Sequence, residues 1–453
     1  MTDPKSISLT EGPVNSRILL FTGPLIVGNL FQQLYSTTDA FIVGNYVGSN
    51  ALAAIGASAQ IINLFIGFII GLTTGAGIII AQYYGALNHS KLHQAIHTSF
   101  WFCIIGGVLV SAAGCILSPS ILSSMNTPAQ VIPDATLYLR IYFLGTIFSI
   151  IYNMGAGTLQ AVGDTRHPLY YLCISSAVNV VLVILFVTVF HLAVLGAALA
   201  TLIAQFVAAF CVIRQLCCTN NVYQLKLSEI RYNKEMLIKI LKFGIPTGLQ
   251  SAITSFSNVI VQSYLNSFGS LAMAGNNIYS KLDGFALLPV NCLSLTATTF
   301  IAQNIGARKY DRVKKGFSSL LLLGNSYSIF IGCLLCFFSR LPLRLFTSDP
   351  AVIHYGVMMG QVLGPGYFLL VTCQILIGTA RGAGDTLNTM LLSILNLCLF
   401  RIIWLTVMIP NFRSIYILYL GYPITWGSAV LCMTVYYYKR IRPRLRENEV
   451  LNI

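Results

Sequence analysis

Charge is what this chain of 453 residues has least of. Asp, Glu, Lys and Arg make up only 9% of it, against about 25% in a soluble domain. Hydrophobic residues make up 56%, and the mean hydropathy is +0.76. Residues 40–90, 167–213, 243–280 and 350–380 contain no charged residue at all. A water-soluble fold is thereby excluded, because these runs are long enough for spans of roughly 20 apolar residues. Other absences narrow the function. No G-x-x-x-x-G-K-[ST] loop is present, so the chain itself holds no phosphate loop for ATP. The six His residues are scattered, and Cys333-x-x-Cys336 lies in an apolar stretch with no second pair beside it, so no metal site is expected. No cluster of nucleophile, base and metal ligands occurs in the spans, which argues against an enzyme and against a cofactor. No cleavable signal peptide is expected either, since the residues up to Glu11 are polar and of mixed charge.

What is present is duplication. Ala81-Gln82-x-x-Gly85-Ala86 returns as Ala302-Gln303-x-x-Gly306-Ala307, and Gly163-Asp164-Thr165 returns as Gly384-Asp385-Thr386, both at an offset of 221 residues. A duplicated apolar chain reads as a transporter with two related lobes. Twelve helices are predicted, near 18–42, 51–80, 96–116, 135–159, 169–190 and 194–216, then 238–265, 272–300, 316–338, 354–378, 388–410 and 415–438. The polar stretch 217–237 is the natural join, giving an N-terminal lobe at 1–220 and a C-terminal lobe at 221–453 with a basic tail. The expected fold class is an all-α integral membrane protein of two pseudo-symmetric six-helix lobes.

The net charge of +14 does not point to nucleic acid, because the basic residues sit in short blocks between spans. With the N-terminus inside, twenty-one of the 27 Lys and Arg residues fall on the inner side, while Arg340, Arg344 and Arg413 fall in outer loops. The positive-inside rule then makes both termini cytoplasmic. Six helices return the chain to its starting side, so the repeat is parallel. The repeated motifs fall at cytoplasmic helix ends, where Gly permits a left-handed residue and Asp-Thr suits the start of the next helix. Gly67, Gly71 and Gly75 share one face of helix 2 and predict close packing or sliding. Pro24, Pro246, Pro289 and Pro365 predict kinks. Arg140 is expected to snorkel to the outer interface.

Of 13 acidic residues only Asp39 and Asp283 fall inside predicted spans, and ionisable groups there are functional candidates. Gln32, Tyr35, Ser36 and Asp39 form a polar stripe on helix 1. This reads as a proton or cation site, or as a carboxylate that merely reaches water at the helix end. Asn276, Tyr279, Ser280 and Asp283 form a second stripe, on helix 8. Asp283 could pair with Lys281 or Arg401, or serve as a substrate-site carboxylate. Asn179 and Thr201 are uncharged polar residues in helices 5 and 6.

These features together resemble the multidrug and toxic compound extrusion (MATE) family. The resemblance covers about residues 15–440. It rests on the two six-helix lobes, on Pro24 with Asp39 fifteen residues on, and on the repeated Ala-Gln-x-x-Gly-Ala and Gly-Asp-Thr ends. It implies export of organic, often cationic and amphipathic compounds by lobes that rock between two openings, driven by inward H⁺ or Na⁺. It also implies an ion site, possible for Na⁺, at Asp39, Asn179 and Thr201. The family often carries a second carboxylate four residues after Asn179, where this chain has Val183, and often has acidic residues in helices 7 and 10, which this chain lacks. Loss of hard oxygen ligands weakens a cation cage, which favours H⁺. The expected partners are small organic molecules and the plasma-membrane bilayer, with no nucleic acid, and the chain is expected to be monomeric. A lipid-linked oligosaccharide flippase of the same superfamily is the alternative reading. It would call for a strongly basic cavity, and the spans hold only Arg140, Lys281 and Arg401 as cations.

Overall fold

The computed structural model describes residues 8–46, 49–124 and 130–446. The side chains of 35–41, 43–45, 49–55, 57, 59–60 and 445–446 lie outside that description. The described residues are helical almost throughout and contain no strand. An apolar chain in lipid must satisfy its backbone polar groups within each segment, and the helix does this.

The first half supplies α1 (Val14–Tyr46), α2 (Ser49–Gly85), α3 (His89–Ser124), α4 (Ile132–Ala161), α5 (Arg166–Ile184) and α6 (Ala193–Cys218). The second half supplies α7 (Lys234–Asn266), α8 (Ser270–Ala286), α9 (Leu288–Gly306), α10 (Tyr310–Phe338), the short α11 (Arg340–Leu343), α12 (Pro350–Leu363), α13 (Tyr367–Gly382), α14 (Thr386–Ser393), α15 (Phe400–Phe412), α16 (Ile415–Tyr436) and α17 (Arg442–Arg446). Among the described residues, 10 helical segments are long and apolar enough to cross a membrane, and the pair α8 and α9, bent by 41°, makes 11. α7 has membrane length, 33 residues, but carries a run of Thr, Gln, Ser and Asn that lowers its hydropathy. With it, the chain is a twelve-span, all-α membrane protein of the expected class.

Predicted helix 8 is broken at Leu287, and Pro289 stands in the first turn of α9. Pro365 sits in the 3₁₀ turn Gly364–Gly366 between α12 and α13. Pro24 and Pro246 are carried inside continuous helices. π-helical turns interrupt the pattern at Leu185–Val189, Ile394–Leu399 and Tyr437–Ile441.

The duplication is visible in element ends: Gly85 and Gly306, His89 and Tyr310, and Ala161 and Gly382 are all 221 residues apart. Gly163 (φ 97°) and Gly384 (φ 84°) take the left-handed conformation at those ends. There the Asp164 amide donates to Leu159 O at 2.8 Å, and the Asp385 amide to Ala380 O at 3.0 Å. Both are the six-residue closures of a Schellman cap. At the other repeated motif the left-handed residue is not glycine. Leu87 (φ 53°) and Arg308 (φ 58°) occupy it, and the next amides close onto Tyr83 O at 3.0 Å and Asn304 O at 2.8 Å. Asp164, not Thr165, caps α5, its Oδ1 accepting the amides of Arg166 and His167, each at 3.2 Å.

Contacts divide the chain into two compact units, one of Gly23–Gly248 and the other of Leu9–Thr22 with Leu249 onward. The boundaries fall inside α1 and α7, so each unit includes the first turns of the other half's first helix. In the second unit, Arg312 donates to the carbonyls of Gly12 (2.7 Å), Leu9 (3.0 Å) and Glu11 (3.2 Å), and Asn304 Nδ2 donates to Leu9 O (3.2 Å). In the first unit the linker before α7 is held by His97 Nε2, which accepts the Lys226 amide at 3.1 Å, and by Glu229, 3.1 Å from His93 Nε2. Lys226 Nζ also reaches Glu229 at 3.0 Å, and this contact holds the Glu229 carboxyl below its ordinary value. The expectation that all six histidines are scattered fails here, because His93 and His97 stack at 3.8 Å on one face of α3.

Candidate functional site

Each unit carries a group of the sequence-predicted polar residues among apolar helices. In the first unit it forms where α1, α5 and α6 meet. Ile42 of α1 packs with Val183 and Val187 and with Ala200 of α6, and Gly28 faces Leu169 and Leu172 of α5. Asn179 lies one turn before Val183. It is fully buried, and neither amide atom has a hydrogen-bond partner among the described residues. An amide so placed is costly unless something else binds it. Thr201, beside Ala200, is buried and donates to Ala197 O at 3.0 Å, leaving its oxygen lone pairs for another group. Gln32 is exposed. Tyr35, Ser36 and Asp39 stand on the helical backbone of α1, but their side chains lie outside the described residues. Asp39 occurs one turn before Ile42, on the helix that this apolar cluster brings to α5 and α6.

In the second unit Asp283, one turn from the end of α8, accepts a short hydrogen bond from the Tyr367 hydroxyl. Tyr367 O lies 2.9 Å from the Tyr279 hydroxyl, and both tyrosines are fully buried. A phenol has one proton to give, so with Tyr367 committed to the carboxylate the order runs from Tyr279 to Tyr367 to Asp283. Trp426 stacks on Tyr367 at 6.1 Å, and Tyr422 packs on Trp426 at 5.9 Å. Arg401 lies over Tyr422 at 5.1 Å. Its Nε donates to Leu397 O at 2.8 Å and its guanidinium to Asn258 Oδ1 at 3.2 Å.

Of the two readings of Asp283, the pairing with Lys281 or Arg401 is not seen among the described residues. Lys281 is exposed, Asn276 is half-buried and Ser280 is exposed. The physical reason is that Asp283 is already met by the Tyr367 hydroxyl and Arg401 by neutral acceptors and an aromatic face, while Lys281 is exposed. Sequence reasoning missed Tyr367, Asn258, Tyr422 and Trp426. Tyr279 was legible, on the same helical face as Asp283. Arg140 is exposed and binds Cys115 O at 3.2 Å through Nε. Asp385 receives Asn388 at 3.0 Å and the Tyr436 hydroxyl, a helix-tying role that fits the structural reading of the repeated carboxylates.

Residues 24–185 and 246–406 each match MatE, one copy per half. The chain belongs to the MatE family. It is therefore a multi-pass membrane transporter and not an enzyme. It is 28% identical to the probable multidrug resistance protein YoeA of Bacillus subtilis, over 92% of each chain. It is 26% identical to the multidrug export protein MepA of Staphylococcus aureus, over 86% of this chain and 87% of that one. Among solved structures, MATE in a straight conformation superposes with a TM-score of 0.92 at 20% identity, covering 98% of this chain and all of the other. An outward-facing multidrug resistance MATE transporter gives 0.91 at 19% identity, covering 99% of this chain and all of the other.

Proposed function

We propose that this transporter exports organic, cationic or amphipathic compounds from the cell, across a plasma membrane in which both termini are cytoplasmic, in exchange for inward H⁺ or Na⁺. The coupling site is Asp39 with Asn179 and Thr201. The observation that carries the reading is Asn179, a fully buried amide with no partner among the described residues, on the helix that packs against α1 one turn from Asp39. Such an amide can bind a carboxylic acid, a carboxylate or a small cation, and its needs change as Asp39 gains or loses charge. Ion and substrate bias one two-state element, so binding of either disfavours the other. The names of the relatives, multidrug resistance and multidrug export proteins, support the substrate class. The Asp283 carboxylate is the counter-charge for a cationic substrate in this reading, and because Tyr279 and Tyr367 beside it are fully buried, binding there requires the cluster to open.

The test is Asn179→Leu, which keeps volume and removes the amide. Gradient-driven efflux of ethidium from proteoliposomes should fall at least tenfold, with insertion and ethidium binding unchanged. Efflux near the wild-type rate would remove Asn179 from the coupling site.

A further inference from the structure

The contact between α3 and the linker before α7 offers a metal site that the transport reading does not use. His93 and His97 stand one turn apart on α3, and Glu229 approaches from the linker. Their three ligand atoms lie within 4.8 Å of one another, and His93 Nε2 is 3.1 Å from Glu229 Oε2. His97 Nδ1 lies 2.8 Å from the His93 carbonyl, which can only accept, so Nδ1 holds the proton and Nε2 presents a lone pair. A backbone carbonyl fixing the far nitrogen is how ligating histidines are commonly oriented. That lone pair takes the Lys226 amide, and His97 is only 2% exposed, so the ion must displace this amide toward the solvent that reaches the exposed Lys226. His93 and Glu229 side chains keep 33% and 43% of their surface exposed, so an ion can enter and water can complete its shell.

The fold does not require these residues. The positions 221 residues away are Lys314, Ser318 and Ser8, none a comparable ligand, although the same element ends recur in both halves. His89, a further turn back and exposed, extends the same face.

We propose that His93, His97 and Glu229 bind one divalent ion of the zinc type and thereby fasten the linker to α3. Two imidazoles and one carboxylate with an open position suit Zn²⁺ and not Mg²⁺ or Ca²⁺, which take oxygen ligands. The competitor is the Lys226 ammonium, which occupies Glu229 at 3.0 Å and must leave when the ion arrives.

The experiment is equilibrium dialysis of the purified full-length chain, free of any affinity tag, against Zn²⁺ at neutral pH. Bound metal is counted per chain in wild type and three variants. One ion per chain is expected. Affinity should drop at least tenfold in His93→Ala and in Glu229→Gln, and rise roughly tenfold in Lys226→Ala, where a like charge beside the site is removed. The rise cannot come from misfolding. No bound Zn²⁺ in the wild type overturns the proposal. So does binding that is unchanged in His93→Ala and Glu229→Gln, which would place the ion elsewhere, for instance on the free cysteines.

Discussion

Replacing Gly71 with alanine should cost stability, although glycine is normally the poorer helix former. In the first unit α2 crosses α7 backbone on backbone. A Cβ at Gly71 would stand 2.3 Å from Gly248 Cα and from its amide nitrogen, and one at Gly75 would stand 2.3 Å from Gly244 Cα. Carbon atoms settle at about 3.5–4.0 Å, so the overlap exceeds ~1 Å. It falls on backbone atoms, which cannot rotate away, so the helices must separate. Overpacking of this kind costs about 1–3 kcal/mol, while alanine returns up to about 1 kcal/mol through helix propensity. Because the overlap falls on rigid backbone, the cost lies at the upper figure and the net is a loss of about 2 kcal/mol for either substitution. The double variant should lose less than twice that, because one separation of the helices relieves both overlaps. Gly106 of α3 is the control, since a Cβ there meets nothing within 4 Å, and Gly106→Ala should be neutral or stabilising. Thermal unfolding of the detergent-purified chain, read by fluorescence-detected size exclusion, orders the three. Gly71→Ala matching Gly106→Ala in unfolding midpoint would refute the argument that the crossing requires glycine.

Tyr367→Phe should remove the hydrogen bond to Asp283 and leave the Tyr279 hydroxyl buried without its partner. A stability loss of about 1–3 kcal/mol is expected, together with weakened binding of a cationic dye by equilibrium titration. Unchanged stability and binding would show that the tyrosine order is incidental. Arg312→Ala strips the carbonyls of Leu9, Glu11 and Gly12 of their donor. Trypsin should then cut at Arg17 at least several-fold faster while cleavage within 220–235 stays at the wild-type rate, and equal protection at Arg17 would contradict the anchoring role.

Much of this architecture could be read before any coordinate was known, because membrane burial and duplication both leave coarse, periodic marks. Charge-free runs locate spans, and the recurrence of Ala-Gln-x-x-Gly-Ala and Gly-Asp-Thr marks helix ends that do recur at 221-residue spacing. The second cluster was less legible. Its geometry depends on departures from a 3.6-residue period: the break at Leu287 after Asp283, and the π-turn Ile394–Leu399 just before Arg401. A π-turn adds a residue and rotates the rest of the helix, so the face on which Arg401 emerges cannot be counted from an ideal helix. His93 and His97 were visible at a spacing of four, but Glu229 lies 132 positions beyond His97, and only the fold brings it back to α3. Leu87 and Arg308 adopt left-handed backbone where glycine would be expected, and no composition rule flags them.

The central claim is ion-coupled export through Asp39. The direct measurement is ethidium efflux from proteoliposomes under an imposed pH gradient and, separately, a Na⁺ gradient, in wild type and Asp39→Asn. The account predicts wild-type efflux that follows one of the two gradients and its loss in Asp39→Asn, with insertion and fold intact. Efflux that persists in Asp39→Asn, or its absence in the wild type under both gradients, would contradict it.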